Sequence, residues 1–387
     1  MQARARLPRL LLLLSVSLAL AGAVFSESHK AELSETTEDR IDASSWWPTK
    51  SVPDAAQLVG NSECAKCHGD KAATQATTPM AHASARTADA EILRSHEKLT
   101  SELQPYRYAI GHDPAGSTYS VSDGAQKFSA QLEWAFGIAH KGQTYIYSRE
   151  GAYYESRVSF YATLQSLALT TGHLSDSPTS IDAALGRHMD ASETQHCFGC
   201  HTSGSTIGGR FDASHATPGV TCEQCHGPGA KHVGSMKAGK INDGRRAILN
   251  PRKMSAVASV DFCGACHRTW ADVLQTEVTG VANVRFQPYR LESSKCWGRG
   301  DVRLACYTCH DPHQPLVTET ASYDSKCLSC HVTKRGEKLA EHPGAACPVG
   351  TSNCASCHMP KVEVPSMHAP FTDHRIRIVR DAAAYPN

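Results

Sequence analysis

The 387-residue chain has little aromatic bulk: Phe, Trp and Tyr together make up 7% of it, within a hydrophobic share of 41%. An interior built from side chains alone would be lean, so other apolar matter is expected to fill it. Neither sign of charge dominates, with 39 Lys and Arg against 38 Asp and Glu. That balance excludes a basic nucleic-acid binder. After the first two dozen residues no apolar run approaches the ~20 residues a spanning helix needs, so no membrane span is expected in the mature chain.

The chain is rich instead in cysteine and histidine, 16 and 21 residues, and they are not scattered. The pattern C-x-x-C-H occurs seven times: Cys64/Cys67/His68, Cys197/Cys200/His201, Cys222/Cys225/His226, Cys263/Cys266/His267, Cys306/Cys309/His310, Cys327/Cys330/His331 and Cys354/Cys357/His358. Composition alone would supply roughly 0.04 such pentapeptides, so the repeat carries a function. Two cysteines three apart can each add to one vinyl group of a haem, and the histidine that follows falls beneath the iron as its proximal ligand. Zinc knuckles use C-x-x-C without needing His after the second Cys. Seven disulfides within C-x-x-C units would have no structural use. Seven covalently bound c-type haems, with their iron, are therefore expected, and they supply the missing apolar bulk.

The N-terminus carries Arg4, Arg6 and Arg9, an apolar run from Leu10 to Leu20, and small residues at Ala21-Gly22-Ala23. This reads as a secretory signal peptide over 1–23, too short to span a bilayer. Haem attachment to thiols takes place outside the cytoplasm, so the mature protein is placed in a periplasm. Without the leader, 36 basic residues face 38 acidic ones.

Residues 24–60 read as a polar tether that docks near Trp46, and 61–85 as haem site 1. Residues 86–195 lack the motif and read as a β-rich insert. Its strands are Tyr106–Ile110, Ser117–Val121, Phe128–Trp134 and Thr144–Tyr147, broken by turn formers such as Ser122-Asp123-Gly124. Ser159–Thr170 and Ala183–Ser192 read as helical. A six-haem array fills 196–380, before a C-terminal tail at 381–387. Six motifs span 162 residues there, about 27 each, which forces the haems into contact range. The fold expected is mainly α with extensive irregular loops, a multihaem cytochrome c array carrying a small antiparallel β insert. Site 2, at the boundary, is expected to join site 1 to the other five.

Ligand number decides what each haem does. An iron with two protein ligands passes electrons, whereas one with a single ligand can bind a substrate. Fourteen histidines remain after the proximal seven, and seven read as distal ligands. His232 follows the rigid Gly227-Pro228-Gly229 bend. His313 is too close to its own haem and would serve another. His342 precedes site 7, and His368 and His374 follow it. His82 follows site 1, with Met80 as a competitor, and His173 is the choice within the insert. Cys296 and Cys347 lie outside the motifs and would form one disulfide in an oxidising compartment, with free thiols or an iron thiolate as alternatives. The tyrosines of the insert read as core, not as crosslinks to a haem.

The runs CEQCHGPGAKHV, LNPRKM, CGACH, CYTCHDPH and CHMPK before FTDHRIRIVR resemble the multihaem c-type cytochromes related to the tetrahaem electron acceptor of hydroxylamine oxidoreductase. The wider superfamily includes nitrite and tetrathionate reductases. The resemblance covers site 1 and about residues 197–380. It implies closely stacked haem pairs, mostly bis-histidine ligated. Nitrite and tetrathionate reductases mark the catalytic haem with C-x-x-C-K, which this chain lacks. The expected function is electron transfer between redox proteins, with no catalytic residue; the oligomeric state stays open. The alternative is a multihaem oxidoreductase acting on a small nitrogen or sulfur compound at one five-coordinate haem.

Overall fold

A computed structural model describes residues 45–276, 278–294, 296–297, 304–331, 347 and 350–378. The leader, residues 24–44 of the tether, His342 and the tail lie outside the described residues. Of the described chain, 34% is helical and 25% is strand.

The dominant element is a nine-stranded antiparallel sheet. Its strands are β1 (Ser84–Arg86), β2 (Lys98–Leu103), β3 (Tyr106–Asp113), β4 (Gly116–Ser122), β5 (Lys127–Phe136), β6 (Gly142–Arg149), β7 (Ala152–Tyr161), β8 (Ser166–Leu169) and β9 (Gly186–Met189). β2 to β8 pair in sequence order, and β2 returns alongside β8, so the sheet curls into a nearly closed barrel. β5 and β7 each serve two neighbours on one edge. β5 pairs β4 through its first half and β1 through its second, and β7 pairs β9 and then β8. Register shifts at Leu132/Trp134 and Thr144/Ile146 turn these corners, the usual work of a bulge. Gly186 permits the β9 contact. Its φ is 142°, and a Cβ there would stand 2.0 Å from the Glu155 carbonyl oxygen.

The alternating burial of β3 and β4 sends Tyr106, Tyr108, Ile110, Tyr119 and Val121 inward. With Leu99, Tyr145, Tyr147, Val158 and Phe160 they form the barrel's core, which the short helices Glu91–Ser95 and Ile181–Ala184 cap with Leu93 and Ala184. The expectation of a mainly α fold with a small β insert is therefore overturned. The four runs read as strands fall in β3 to β6. Ser159–Thr170, read as helical, is the end of β7 followed by β8. From Ser156 to Tyr161 both faces of β7 are buried. The period-2 signal that marks a strand vanishes there, and a continuous apolar run does not reveal its own period. Ala183–Ser192 spans the end of one short helix, β9 and the start of the next.

Outside the barrel the chain makes helices of 4–12 residues separated by loops. The longer ones end on a motif histidine: Ala191–His201, capped by the Asp190 carboxylate, and Ala256–His267, capped by the Ser255 hydroxyl. Trp46 and Trp47 anchor the chain entering site 1. The Trp46 indole N–H donates to the Gln224 carbonyl at 2.9 Å, and Trp47 lies edge-on to Phe262. Gly219, at φ 73°, lets the entry to site 3 press on the exit from site 1, where a Cβ would meet the Ala81 carbonyl oxygen at 1.9 Å.

Candidate haem-binding sites

Each motif closes one helical turn. The N–H of His68, His310 and His331 reaches the carbonyl of the first motif cysteine at 2.9–3.0 Å. Residues three and four apart share a helix face, so this geometry brings both thiols and the imidazole to one side.

Three of the proximal histidines are brought to a second histidine. His68 faces His232 with ring centres 6.4 Å apart and planes 24° from parallel. His226 faces His313 at 5.9 Å and 17°, and His310 faces His374 at 6.3 Å and 41°. Two imidazoles on opposite sides of one iron, with metal–nitrogen bonds of about 2 Å, stand with ring centres about 6 Å apart. The residues fit the group.

Hydrogen bonds at the far nitrogen reinforce the fit. Nδ1 donates to a carbonyl oxygen in His201 (Ala83, 2.9 Å), His226 (Leu249, 2.8 Å), His232 (Gly244, 2.9 Å), His358 (Arg377, 2.8 Å) and His374 (Thr372, 3.0 Å). His267 uses the Gln287 amide oxygen at 3.2 Å, and His313 the Asp311 carboxylate at 3.2 Å. Such outer partners fix the tautomer that leaves Nε2 as a lone-pair donor and orient the ring. Burial pushes His201, His226, His267 and His310 below the ordinary histidine value, and takes His374 down to about 4. The neutral imidazole, the form a metal binds, is therefore the resting form.

The motifs also touch one another. Thiols lie beside one another in four pairs, Cys64 and Cys222, Cys200 and Cys266, Cys263 and Cys306, and Cys327 and Cys354. Site 1 thus adjoins site 3, site 2 adjoins site 4, site 4 adjoins site 5, and site 6 adjoins site 7. The imidazole pairs add links from site 1 to 3, 3 to 5 and 5 to 7. All seven motifs belong to one connected set. Site 2 is linked to site 3 as well as to site 4, since its Gly199 carbonyl accepts from Gln224 Nε2 at 2.8 Å. Beyond it lies the barrel, where Phe136 stacks on His201 at 4.9 Å and Phe198 meets Trp134 and Phe136.

Six motif cysteines, Cys67, Cys197, Cys225, Cys309, Cys330 and Cys357, stand outside these thiol pairs. Among them are Cys67, Cys330 and Cys357, the second cysteines of sites 1, 6 and 7. Cys67 and Cys357 are exposed, and Cys330 is half-buried. The Cys330 and Cys357 sulfurs meet the hydroxyl of the serine before each, Ser329 and Ser356, at 3.9 Å. The reason is geometric: in these sites the first cysteine, Cys64, Cys327 or Cys354, makes the contact with the next motif, and the second lies one helical turn further on, toward solvent. A thioether needs the thiol to reach a vinyl group and does not need it buried, so exposure leaves the expected attachment role of these three untouched.

Other expected distal residues stand elsewhere. His173 sits at the barrel, its Nε2 donating to Glu155 Oε2 at 3.0 Å, which engages the nitrogen that a metal would need. His368 packs against Tyr161 with ring centres 4.7 Å apart. His82 lies next to Ala83, the acceptor for His201. Cys296 and Cys347 are exposed.

Sequence reasoning missed the carbonyl acceptors and Glu223. The Glu223 carboxylate is buried and accepts from the N–H groups of Val59, Gly60 and Gly229 at 2.8–3.1 Å, tying site 1 to site 3. Backbone acceptors carry no sequence signal. A glutamate inside CEQCH has no mark apart from lying in a motif.

Comparison with known proteins agrees with this chemistry. The profile of the family described as cytochrome c554 and c-prime matches residues 155–227. The multiheme cytochrome MtrA of Shewanella baltica is 28% identical over 201 residues, 43% of this chain and 57% of that protein. Cytochrome c-554 of Nitrosomonas europaea is 34% identical over 94 residues, 22% of this chain and 40% of that one. The chain thus spans about half the length of the curated relatives it matches. The outer cell wall cytochrome OcwA superposes with a TM-score of 0.48 at 16% identity, over 84% of this chain and 80% of that one, a likeness on which nothing here rests. Seven C-x-x-C-H motifs and matches to multihaem cytochromes together make this chain a member of the multihaem c-type cytochromes, carrying covalently bound haem.

Proposed function

We propose that the protein is a periplasmic heptahaem cytochrome that passes electrons between redox partners along closely packed, mostly bis-histidine haems. The observation that carries this reading is the facing of His68, His226 and His310 by His232, His313 and His374. A bound haem supplies a one-electron couple. The chain's part is to hold each imidazole so that ligation does not change with oxidation state, to set the spacing of neighbouring sites, and to exclude water. The motif contacts support one connected array, with sites 1, 2 and 5 linked to site 3, sites 2 and 5 to site 4, and sites 5 and 6 to site 7. The leader at 1–23 supports export, and the seven motifs support seven haems.

The experiment is mass spectrometry of the purified holoprotein with low-temperature electron paramagnetic resonance. Seven haem increments and ferric signals dominated by low-spin species are expected. Fewer increments, or high-spin signals from most haems, would overturn the reading. A second reading is an oxidoreductase at one five-coordinate haem: among the described residues no second histidine ring meets His201, His267 or His358, and His201 has Phe136 on its face. A high-spin ferric signal of about one haem that binds carbon monoxide on reduction would support it.

A further inference from the structure

Charge in this chain is unevenly placed. Residues 230–253 hold seven lysines and arginines and one aspartate, a net +6 in 24 residues of a chain whose total is +1. The segment folds as helices Ala230–Lys237 and Ile241–Arg246 followed by the turn Pro251–Lys253, and all seven cations are exposed. Lys237 is paired with Glu63, and Arg246 with Asp243. Among the described residues Lys231, Lys240, Arg245, Arg252 and Lys253 face no carboxylate.

Three of the seven cations converge. Arg245, Arg246 and Lys253 border a cleft of about 620 Å³ whose wall includes Leu249, Met254 and His232, the imidazole facing His68. Met236 and Ile241 lie exposed on the same two helices, 37% and 43%. An apolar patch ringed by one sign of charge beside a redox centre suits brief, steered encounters with a partner of opposite charge.

We propose that this face docks an acidic electron-transfer protein and that electrons cross to or from the array at site 1. The inference rests on the electron-carrier reading above. In the crossing, one electron leaves a ferrous haem of the array, which becomes ferric, and reduces one ferric haem of the partner; no bond breaks.

The test uses full-length holoprotein reduced with dithionite, then mixed in a stopped-flow instrument with ferric cytochrome b5, an acidic protein, or ferric cytochrome c, a basic one. With cytochrome b5 the rate is expected to fall about tenfold between low salt and about 0.5 M salt. The triple variant K240E/R245E/K253E is expected to lose about tenfold at low salt and to gain with cytochrome c. Its visible spectrum and haem potentials should stay as in the wild type, which also checks that it folds. If both acceptors react but neither salt nor charge reversal changes the rates, the docking face is refuted. The inference also fails if the variant shifts one haem's potential without altering salt dependence, because the cations then serve that haem's own carboxylates. If neither acceptor draws electrons from the reduced array, the carrier reading itself fails.

Discussion

Asp373→Asn should be among the most damaging single substitutions in the array, although it touches no motif residue. Asp373 and Arg290 are both fully buried and joined by two parallel bonds of 2.9 Å. The same carboxylate accepts from the Arg375 N–H at 3.0 Å and from Arg377 Nη1 at 2.6 Å. Burial alone would raise the Asp373 carboxyl, but these bonds outweigh it and hold it below its ordinary value. Asparagine keeps the shape, removes the charge, and puts an N–H2 against a guanidinium. Leaving a buried charge unpaired costs about 3–5 kcal/mol. With a slope of about 4 kcal/mol per M in guanidinium chloride, the unfolding midpoint should fall by about 1 M. The assay is equilibrium unfolding of the holoprotein, followed by far-ultraviolet circular dichroism and the Soret band. Because Asp373 precedes His374, the Soret change should come at or before the loss of secondary structure. The sign with pH follows from the lowered carboxyl. The contribution is complete well above the unfolded value of about 3.9 and is lost as pH falls through the lower native value. Wild type and variant should therefore converge in acid. A variant with its midpoint within about 0.2 M of wild type, or a gap that widens in acid, would refute the reasoning.

Three further outcomes are expected. His232→Ala should convert about one haem from low-spin to high-spin ferric in electron paramagnetic resonance, and an unchanged spin count would separate His232 from the site it faces. Trp47→Ala removes a buried ring lying edge-on to Phe262, with centres 5.7 Å apart, and should cost about 3–5 kcal/mol; full stability in denaturant titration would mean that the entering chain is not part of the fold. Glu223→Ala strands three buried or half-buried backbone N–H groups between sites 1 and 3. Hydrogen exchange at Val59, Gly60 and Gly229 should quicken, and protection equal to wild type would deny the carboxylate that role.

Cofactor chemistry was legible in the sequence because thioether attachment and proximal ligation need five contiguous residues, and C-x-x-C-H states them outright. How deeply each motif sits was not: Cys67 and Cys357 are exposed while Cys225, in the same pattern, is not. His232, His313 and His374, which face a motif histidine, are marked in the sequence by proximity to a motif and by turn chemistry. Which iron each would serve was not legible, since nothing local links His374 to His310 across 64 residues of chain. His173 carries the same positional signal, but a carboxylate on β7 engages it, and only packing brings the two together. The strands with one buried face announced themselves by alternation, whereas the end of β7, buried on both faces, read as a helix.

The sequence by itself determined that haem is covalently held, where each attachment turn lies, and that the chain carries a leader-like segment and an uneven spread of charge, because these depend on residues adjacent in the chain. Only the tertiary structure decided that the haem-free stretch is the bulk of a nine-stranded barrel-like sheet, that site 2 meets sites 3 and 4, and which imidazoles face each other. Those outcomes depend on closing long loops over one another, where burial, carbonyl acceptors and the Arg290–Asp373 pair choose among arrangements that the local sequence leaves equally open.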